Sequence, residues 1–275
     1  TATMQAVAQE ALSEARLDRD ALRDAALVVG TSSFLFAGEA DYWRTLTDTG
    51  EAVMPPLPPP GQAALRVAGQ LGIEGPVLTL TTACSSSANA LLVAAALLRR
   101  GEVRRALVIG VEGLSAIALS GFHSLMLLDP EGCRPFDAMR RGMQIGEAVG
   151  AVLLEAGDGN APAGNPLLGG ANLCDIHHTT SATPDGSAMR SVMEMALADA
   201  GLQTTDVAVI KAHGTGSLDN DTAEAAAMRT LFGDDLPRQR QDDQPDEDRR
   251  PAGNPGRRQC HAERQFRGQH VGANH

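Results

Sequence analysis

Residues 78–101 read LTLTTACSSSANALLVAAALLRRG, and the fold turns on how that stretch divides. β-type residues run into a single cysteine, three serines follow, and alanine and leucine then recur at helical spacing as far as Gly101. The pattern predicts a strand over 76–82 and a helix over 85–100, with Gly101 as the stop signal. Cys84 then stands at a strand-to-helix joint, beside the N–H groups and the positive dipole end of the helix. Those groups favour a thiolate and can bond an oxyanion, and a thiolate attacks a thioester carbonyl readily. A small buried cysteine closing a strand, followed by serines that only cap a helix, fits the same letters. Position alone leaves both readings open.

Strand and helix patterns alternate along the rest of the chain. A helix is expected over 3–16, a buried strand over 26–33, a helix over 61–71 and a strand over 105–113. Residues 37–60 read as loop-rich and end in PPLPPP, which cannot be regular structure. Strands are expected over 146–156 and 165–174, flanking a Gly/Pro/Asn linker at 157–166. A helix over 186–200, a strand over 206–211 and a helix over 220–232 follow. Such alternation implies parallel sheets covered on both faces.

The 275 residues, 43% of them hydrophobic, can bury a sizeable core. No apolar run is long enough to span a bilayer, and no signal peptide is visible. The chain opens on Thr1 with a helix already under way, so a cut N-terminus is expected. The four cysteines (Cys84, Cys133, Cys174 and Cys260) form no CxxC pair, which speaks against a disulfide framework and a zinc site. A reduced, cytoplasmic protein with no metal is the expectation. The net charge of −11 disfavours nucleic-acid binding. Lys211 is the only lysine.

After Pro237 the composition changes abruptly. Residues 238–275 contain no Leu, Ile, Met or Lys, one Val, and much Arg, Gln, Asp and Gly. A segment so poor in apolar residues is expected to stay loose. A change of reading frame in the gene would produce such a break.

A second constellation, VIKAHGTGSLDNDTAEAAAM (209–228), sets His213 at a strand's end before a small turn and an acidic helix start, where ligand sites form in parallel α/β architecture. With TTACSSS it closely resembles the β-ketoacyl synthases, the condensing enzymes of fatty-acid and polyketide synthesis. VIGVEG, SGFHSLMLL (120–128), CRPFDAMRRGMQIGEAVGAVLLE (133–155) and HTTSATPDG (178–186) follow in that family's order, so the likeness covers residues 4–236. It implies an α/β, thiolase-like αβαβα layered fold, incomplete at both ends. One half would span 1–156 and carry the cysteine, a partial second half would span 165–236, and an atypical tail would span 237–275.

The resemblance also implies roles. Cys84 would accept an acyl group from an acyl carrier protein, with its own N–H in the oxyanion hole. His213 would assist decarboxylation of a malonyl thioester. Thr215 and Ser217 would bind the phosphopantetheine arm, Ser217 standing where threonine is usual; a simple hydroxyl turn fits Ser217 as well. Phe122 would lie near the acyl pocket, or in an ordinary core. Asp221 and Glu224 would be supporting carboxylates, one engaging a later lysine; Asp221 also suits a helix start. Glu112 and Glu147 read as structural. Arg99, Arg100, Arg104 and Arg105 offer a patch for an acidic carrier protein, or a solvated face. Arg141 stands where the family commonly has Asp.

The family's catalytic lysine and second histidine have no match after the acidic helix, nor has its late glycine-rich loop with a gating Phe. GQHVGA around His270 is only superficially similar, coming too far along and without a lysine before it. No resident cofactor is implied, the substrates riding on phosphopantetheine. The expected partners are a carrier protein and a second synthase subunit, in a homodimer or heterodimer. A non-catalytic partner subunit is the alternative, which the presence of Cys84 opposes; a thiolase or priming synthase fits the CSSS and AHGTGS contexts less well.

Overall fold

Residues 26–29 are Ala-Leu-Val-Val, and a strand with no polar position must be covered on both faces. In the computed structural model they form β1 (Ala26–Gly30), buried at all five positions. The structure describes residues 2–32, 39–51, 53, 59, 61–157, 165–178, 181–233, 236, 238–239 and 271–273. The other strands, numbered along the chain, are β2 (Val77–Leu80), β3 (Arg105–Glu112), β4 (Ala148–Ala156), β5 (Asn165–Leu167), β6 (Val209–Ile210), β7 (Arg238–Gln239) and β8 (Val271–Ala273). The helices are α1 (Ala2–Glu14), α2 (Glu39–Thr49), α3 (Gln62–Leu71), α4 (Ser86–Arg99), α5 (Ala116–Ser124), α6 (Ser187–Ala200) and α7 (Leu218–Phe232).

Residues 1–119, 147–168 and 263–275 form one compact unit; residues 120–146 and 169–262 form another. The first unit holds a sheet in the order β2-β1-β3-β4-β8-β5. Alternation along its strands sorts two cores. Leu27, Val29, Leu107, Ile109 and Leu153 pack with Met4, Ala8 and Leu12 of α1 and Val67 and Leu71 of α3. Ala26, Val28, Ala106, Val108 and Leu154 face the other way, onto Ala90, Ala94 and Leu98 of α4. Strand pairing is parallel across β2, β1 and β3 but antiparallel between β3 and β4, so the all-parallel expectation is corrected. The chain between them makes α5 and loop 125–147 rather than one crossover helix, and returns from the far end of the sheet.

A row of glycines crosses this sheet. Gly30 faces Gly110, and Gly110 faces Gly150. The first turn of α4 settles onto this row. A Cβ on Gly30 would lie 2.5 Å from the Ser86 carbonyl oxygen, and one on Gly110 2.5 Å from Ser87 Oγ.

The second unit has little apolar core. Among the described residues its buried apolar side chains are Ala223, Ala227 and Met228, and α6 buries none. Its loop 129–141 is built on charge instead. Buried Asp129 accepts hydrogen bonds from the Glu131 N–H at 2.9 Å and Arg134 Nη2 at 3.1 Å, and lies 3.6 Å from Arg141 Nε. Arg141 also pairs with Glu131. Arg141 is thus held between two carboxylates. The Glu131 N–H, then the arginines, hold the Asp129 carboxyl below the ordinary range. Asp175 and Asp185 are held low in the same way, chiefly by hydrogen bonds from Thr183 and Ser187.

Three further expectations change. Within the supposedly loop-rich stretch 37–60, residues 39–49 are helical; the prolines begin later, at Pro55, and restrain only their neighbours. Residues 52, 54–58 and 60 lie outside the described residues. The strand expected over 165–174 stops at Leu167. Gly169 is used for close approach, since a Cβ there would meet Ala200 N at 2.5 Å, and the Gly170 N–H donates to Asp199. The strand expected over 206–211 shrinks to β6 behind a 3-10 turn at Thr204–Asp206. Most of the tail lies outside the described residues; within it, β8 pairs in parallel with both β4 and β5.

Gly30→Ala is expected to cost about 3 kcal/mol, because the new methyl meets backbone on rigid elements. Gly69→Ala, where no atom lies within 4 Å, should be neutral or stabilising. Urea midpoints of the two variants check this. Asp129 has a depressed folded pKa, so its contribution is present above the unfolded value of about 3.9 and is lost as pH falls through the folded value. Melting temperatures from about pH 6 down to about pH 3 should fall less steeply in Asp129→Asn than in the parent.

Candidate active site

The thiol sits on a bent joint. After Leu80, whose carbonyl accepts from the Thr31 N–H at 3.0 Å, the chain leaves the sheet and Ala83 takes the left-handed conformation at φ 51°. For a residue with a Cβ this costs about 1–2 kcal/mol, so the surroundings must enforce it. They do so with polar side chains. Ser86 Oγ donates to the Ala83 carbonyl at 2.6 Å and accepts from the Thr82 N–H at 2.8 Å. Ser85 Oγ donates to the Thr82 carbonyl at 2.8 Å. Asn89 Nδ2 reaches Thr82 Oγ1 at 2.7 Å and Ser85 Oγ at 3.2 Å. Cys84 is exposed at the tip, two residues before α4 begins. The serines are not helix caps: Ser85, at the N-cap, makes no side-chain cap bond, and both hydroxyls turn back to the bend.

At the C-terminal ends of β1 and β3, the same end of the sheet at which β2 leads to Cys84, Ser32 donates from its hydroxyl to Glu112 at 2.8 Å and from its N–H to the same carboxylate. Glu147 accepts from the Leu114 N–H at 3.4 Å. Both acids thus hold backbone or hydroxyl groups of the first unit.

The His213 turn belongs to the second unit, as do Thr215, Ser217, Asp221, Glu224 and Phe122. Two acids of α7 organise it. Glu224 accepts from the N–H groups of His213 at 2.7 Å and Gly214 at 2.9 Å. Asp221, 1% exposed, accepts from the Gly216 N–H at 3.2 Å and the Phe136 N–H at 2.8 Å. Positive φ at Gly214 (54°) and Gly216 (76°) aims these N–H groups inward. The Thr215 and Ser217 hydroxyls are 2.9 Å apart, and the Ser217 N–H donates to Thr215 Oγ1 at 3.3 Å, the local bond of a hydroxyl turn. His213 is exposed, Thr215 half-buried and Ser217 buried. Phe122, on α5, is half-buried.

The segment 133–140 braces the turn from beneath. Cys133 Sγ donates to the Thr215 carbonyl at 3.3 Å. Arg140 reaches the carbonyls of Ser217 at 3.4 Å and Leu218 at 3.2 Å, and Thr222 Oγ1 at 2.8 Å, with Nε 3.8 Å from Asp221. Sequence reading passes over Cys133, Phe136 and Arg140 because their partners lie some 80 residues away. Asn89, four residues after Ser85 on one helix face, was detectable from spacing. A cleft of about 350 Å³ in this unit is lined by Leu173, Asp175, His178, Ser181, Met189 and Val192.

The basic cluster at 99–105 does not lie beside the thiol. Cys84 precedes α4 and Arg99 ends it, a separation of about 20 Å along the helix. Arg100 pairs with Glu102 at 3.5 Å and Arg105 with Glu155 at 2.5 Å, so half of the cluster is already neutralised.

Two family models match in succession: Beta-ketoacyl synthase, N-terminal domain, over residues 2–158, and Beta-ketoacyl synthase, C-terminal domain, over residues 167–241. The spectinabilin polyketide synthase system protein NorC of Streptomyces orinoci is 36% identical over 243 residues, 85% of this chain and 10% of that protein. The chloroplastic 3-oxoacyl-[acyl-carrier-protein] synthase I of Arabidopsis thaliana is 32% identical over 246 residues, 82% of this chain and 52% of that protein. The chain therefore spans from a tenth to about half of these relatives. Among solved structures, the ketosynthase ApeO in complex with its chain length factor ApeC from Xenorhabdus doucetiae aligns with TM-score 0.69 and 33% identity, over 83% of this chain and 56% of that one. Among the described residues no helix is long and apolar enough to cross a membrane. The fold is thiolase-like, and the chain belongs to the β-ketoacyl synthase family of fatty-acid and polyketide condensing enzymes.

Proposed function

We propose that Cys84 is the acyl-accepting nucleophile of a β-ketoacyl synthase reaction. The observation that carries this reading is the exposed thiol on an enforced left-handed bend at the head of α4. The Cys84 thiolate adds to the carbonyl carbon of a carrier-bound acyl thioester. The tetrahedral oxyanion collapses, the old C–S bond breaks, and the carrier thiol leaves with the proton that Cys84 lost. The positive end of α4 favours both the thiolate and the passing oxyanion.

In the condensation half, a malonyl thioester loses CO2 and its enolate carbon attacks the acyl group on Cys84, expelling the thiolate. His213 is the residue assigned here to stabilise the enolate, and its position depends on Glu224. Thr215 and Ser217 are assigned to the phosphopantetheine arm. The family's lysine and second histidine have no counterpart in residues 214–275, so acyl transfer is the step that this chain's own residues support best.

The proposed partners are an acyl carrier protein and a second synthase-type subunit, as the chain length factor is to ApeO. The first unit offers an edge for a subunit: among the described residues β2 is paired only by β1, and Leu78 is 36% exposed. An open edge of this kind calls for a cover.

Incubation with an acyl N-acetylcysteamine thioester, followed by peptide mass spectrometry, should place one acyl group on Cys84 and none in Cys84→Ala. No adduct, together with a stable complex with an intact synthase subunit, would establish the non-catalytic partner role instead. Glu224→Ala leaves two backbone N–H groups of the His213 turn without their acceptor and is expected to destabilise the protein by about 2–4 kcal/mol. Denaturant titration reads this as a lowered midpoint, with a smaller drop for Glu224→Gln.

A further inference from the structure

Residues 81–85 are all exposed, yet the bend they form is strained and must be held from within. We infer that Asn89 is the positioning residue of the Cys84 bend: its amide, one turn into α4, grips Thr82 before the thiol and Ser85 after it, and so keeps the sulfur at the head of the helix. The inference rests on Cys84 being the acyl-accepting thiol.

Three observations carry it. Asn89 is 8% exposed, so little water competes for its two bonds, whereas both of its partners stand in solvent. Its backbone is fixed by the helical bond from the Asn89 N–H to the Ser85 carbonyl at 2.9 Å, so the amide reaches out from a rigid element. Both contacts, at 2.7 Å and 3.2 Å, use the donor end of the amide. Ser86 pins the backbone of Thr82 and Ala83; Asn89 alone, of these buried anchors, holds side chains on both flanks of the thiol. Without it, Thr82 and Ser85 can turn to solvent, and Ala83 can relax towards an ordinary φ, carrying the sulfur away from the helix axis.

The test uses the full chain and iodoacetamide, with alkylation of Cys84 followed by peptide mass spectrometry across pH. Asn89→Ala removes the donor; Thr82→Val removes one acceptor with little change of shape. In both, the alkylation midpoint of Cys84 should rise by about half a unit or more, towards the ordinary thiol value of about 8.5. The rate well above the midpoint, and the alkylation of Cys174, should stay within about twofold of the parent. A residue that merely adds stability would leave the midpoint in place. Circular dichroism confirms folding, and if Asn89→Ala does not fold, Thr82→Val carries the test. Parental midpoints in both folded variants overturn the role of Asn89, even where the parent takes an acyl group. A parent that takes no acyl group while the variants shift ends the acyl-acceptor reading and leaves Asn89 in place.

Discussion

Helix α4 lies where it does because two facing strand positions carry no side chain. Gly30 and Gly110 sit opposite one another on β1 and β3, and the backbone of Ser86 and the side chain of Ser87 occupy the space a Cβ would need. Close packing makes this a threshold: interiors at crystal-like density have no slack for a displaced helix. The start of α4 sets the bend at Ala83, and that bend sets the thiol. The placement of Cys84 is therefore tied to an absence of atoms beneath the first turn of the helix. The rest of the first unit follows from the same seat, since Ala90, Ala94 and Leu98 meet Val28 and Val108 only at that height above the sheet.

The second unit reaches order by another route. Its His213 turn is short, glycine-rich and unable to satisfy its own inward N–H groups, and buried backbone donors need partners. Asp221 and Glu224 supply them from α7, and the N–H of Phe136 also donates to Asp221, which brings segment 133–140 under the turn. Arg140 sets a positive charge near the buried Asp221 and closes over the first turn of α7. In this unit acids do what apolar side chains do in the other.

Much of the first unit is legible in the sequence. Period-two apolar strands, the alanine-leucine helix and its glycine stop locate β1, β3 and α4 to within a few residues, because burial on both faces leaves a strong local signature. Helix α2 is obscured by the prolines that follow it, and the end of β5 by glycines spent on approach to α6. The glycine row is invisible because a strand pattern says which face a residue takes, not how near the next layer comes. Among the candidate residues, Cys84 and His213 stand out in the sequence by their settings. The work of Asp221 and Glu224 does not, since acids near a helix start already satisfy the dipole and their true partners are defined only by the turn. Cys133, Phe136 and Arg140 lie far in sequence from the residues they brace.

The contrast between the two units also has a calorimetric meaning. Heat capacity of unfolding follows the apolar surface that unfolding exposes, and polar surface enters with the opposite sign. The described part of the first unit, with leucines and valines sealed on both sides of its sheet, carries most of that quantity. The described part of the second, whose buried apolar side chains are Ala223, Ala227 and Met228, carries little. The thiol thus rests on structure whose stability curves steeply with temperature, passing through a maximum and weakening on cooling. The histidine turn rests on structure whose stability is nearly straight in temperature.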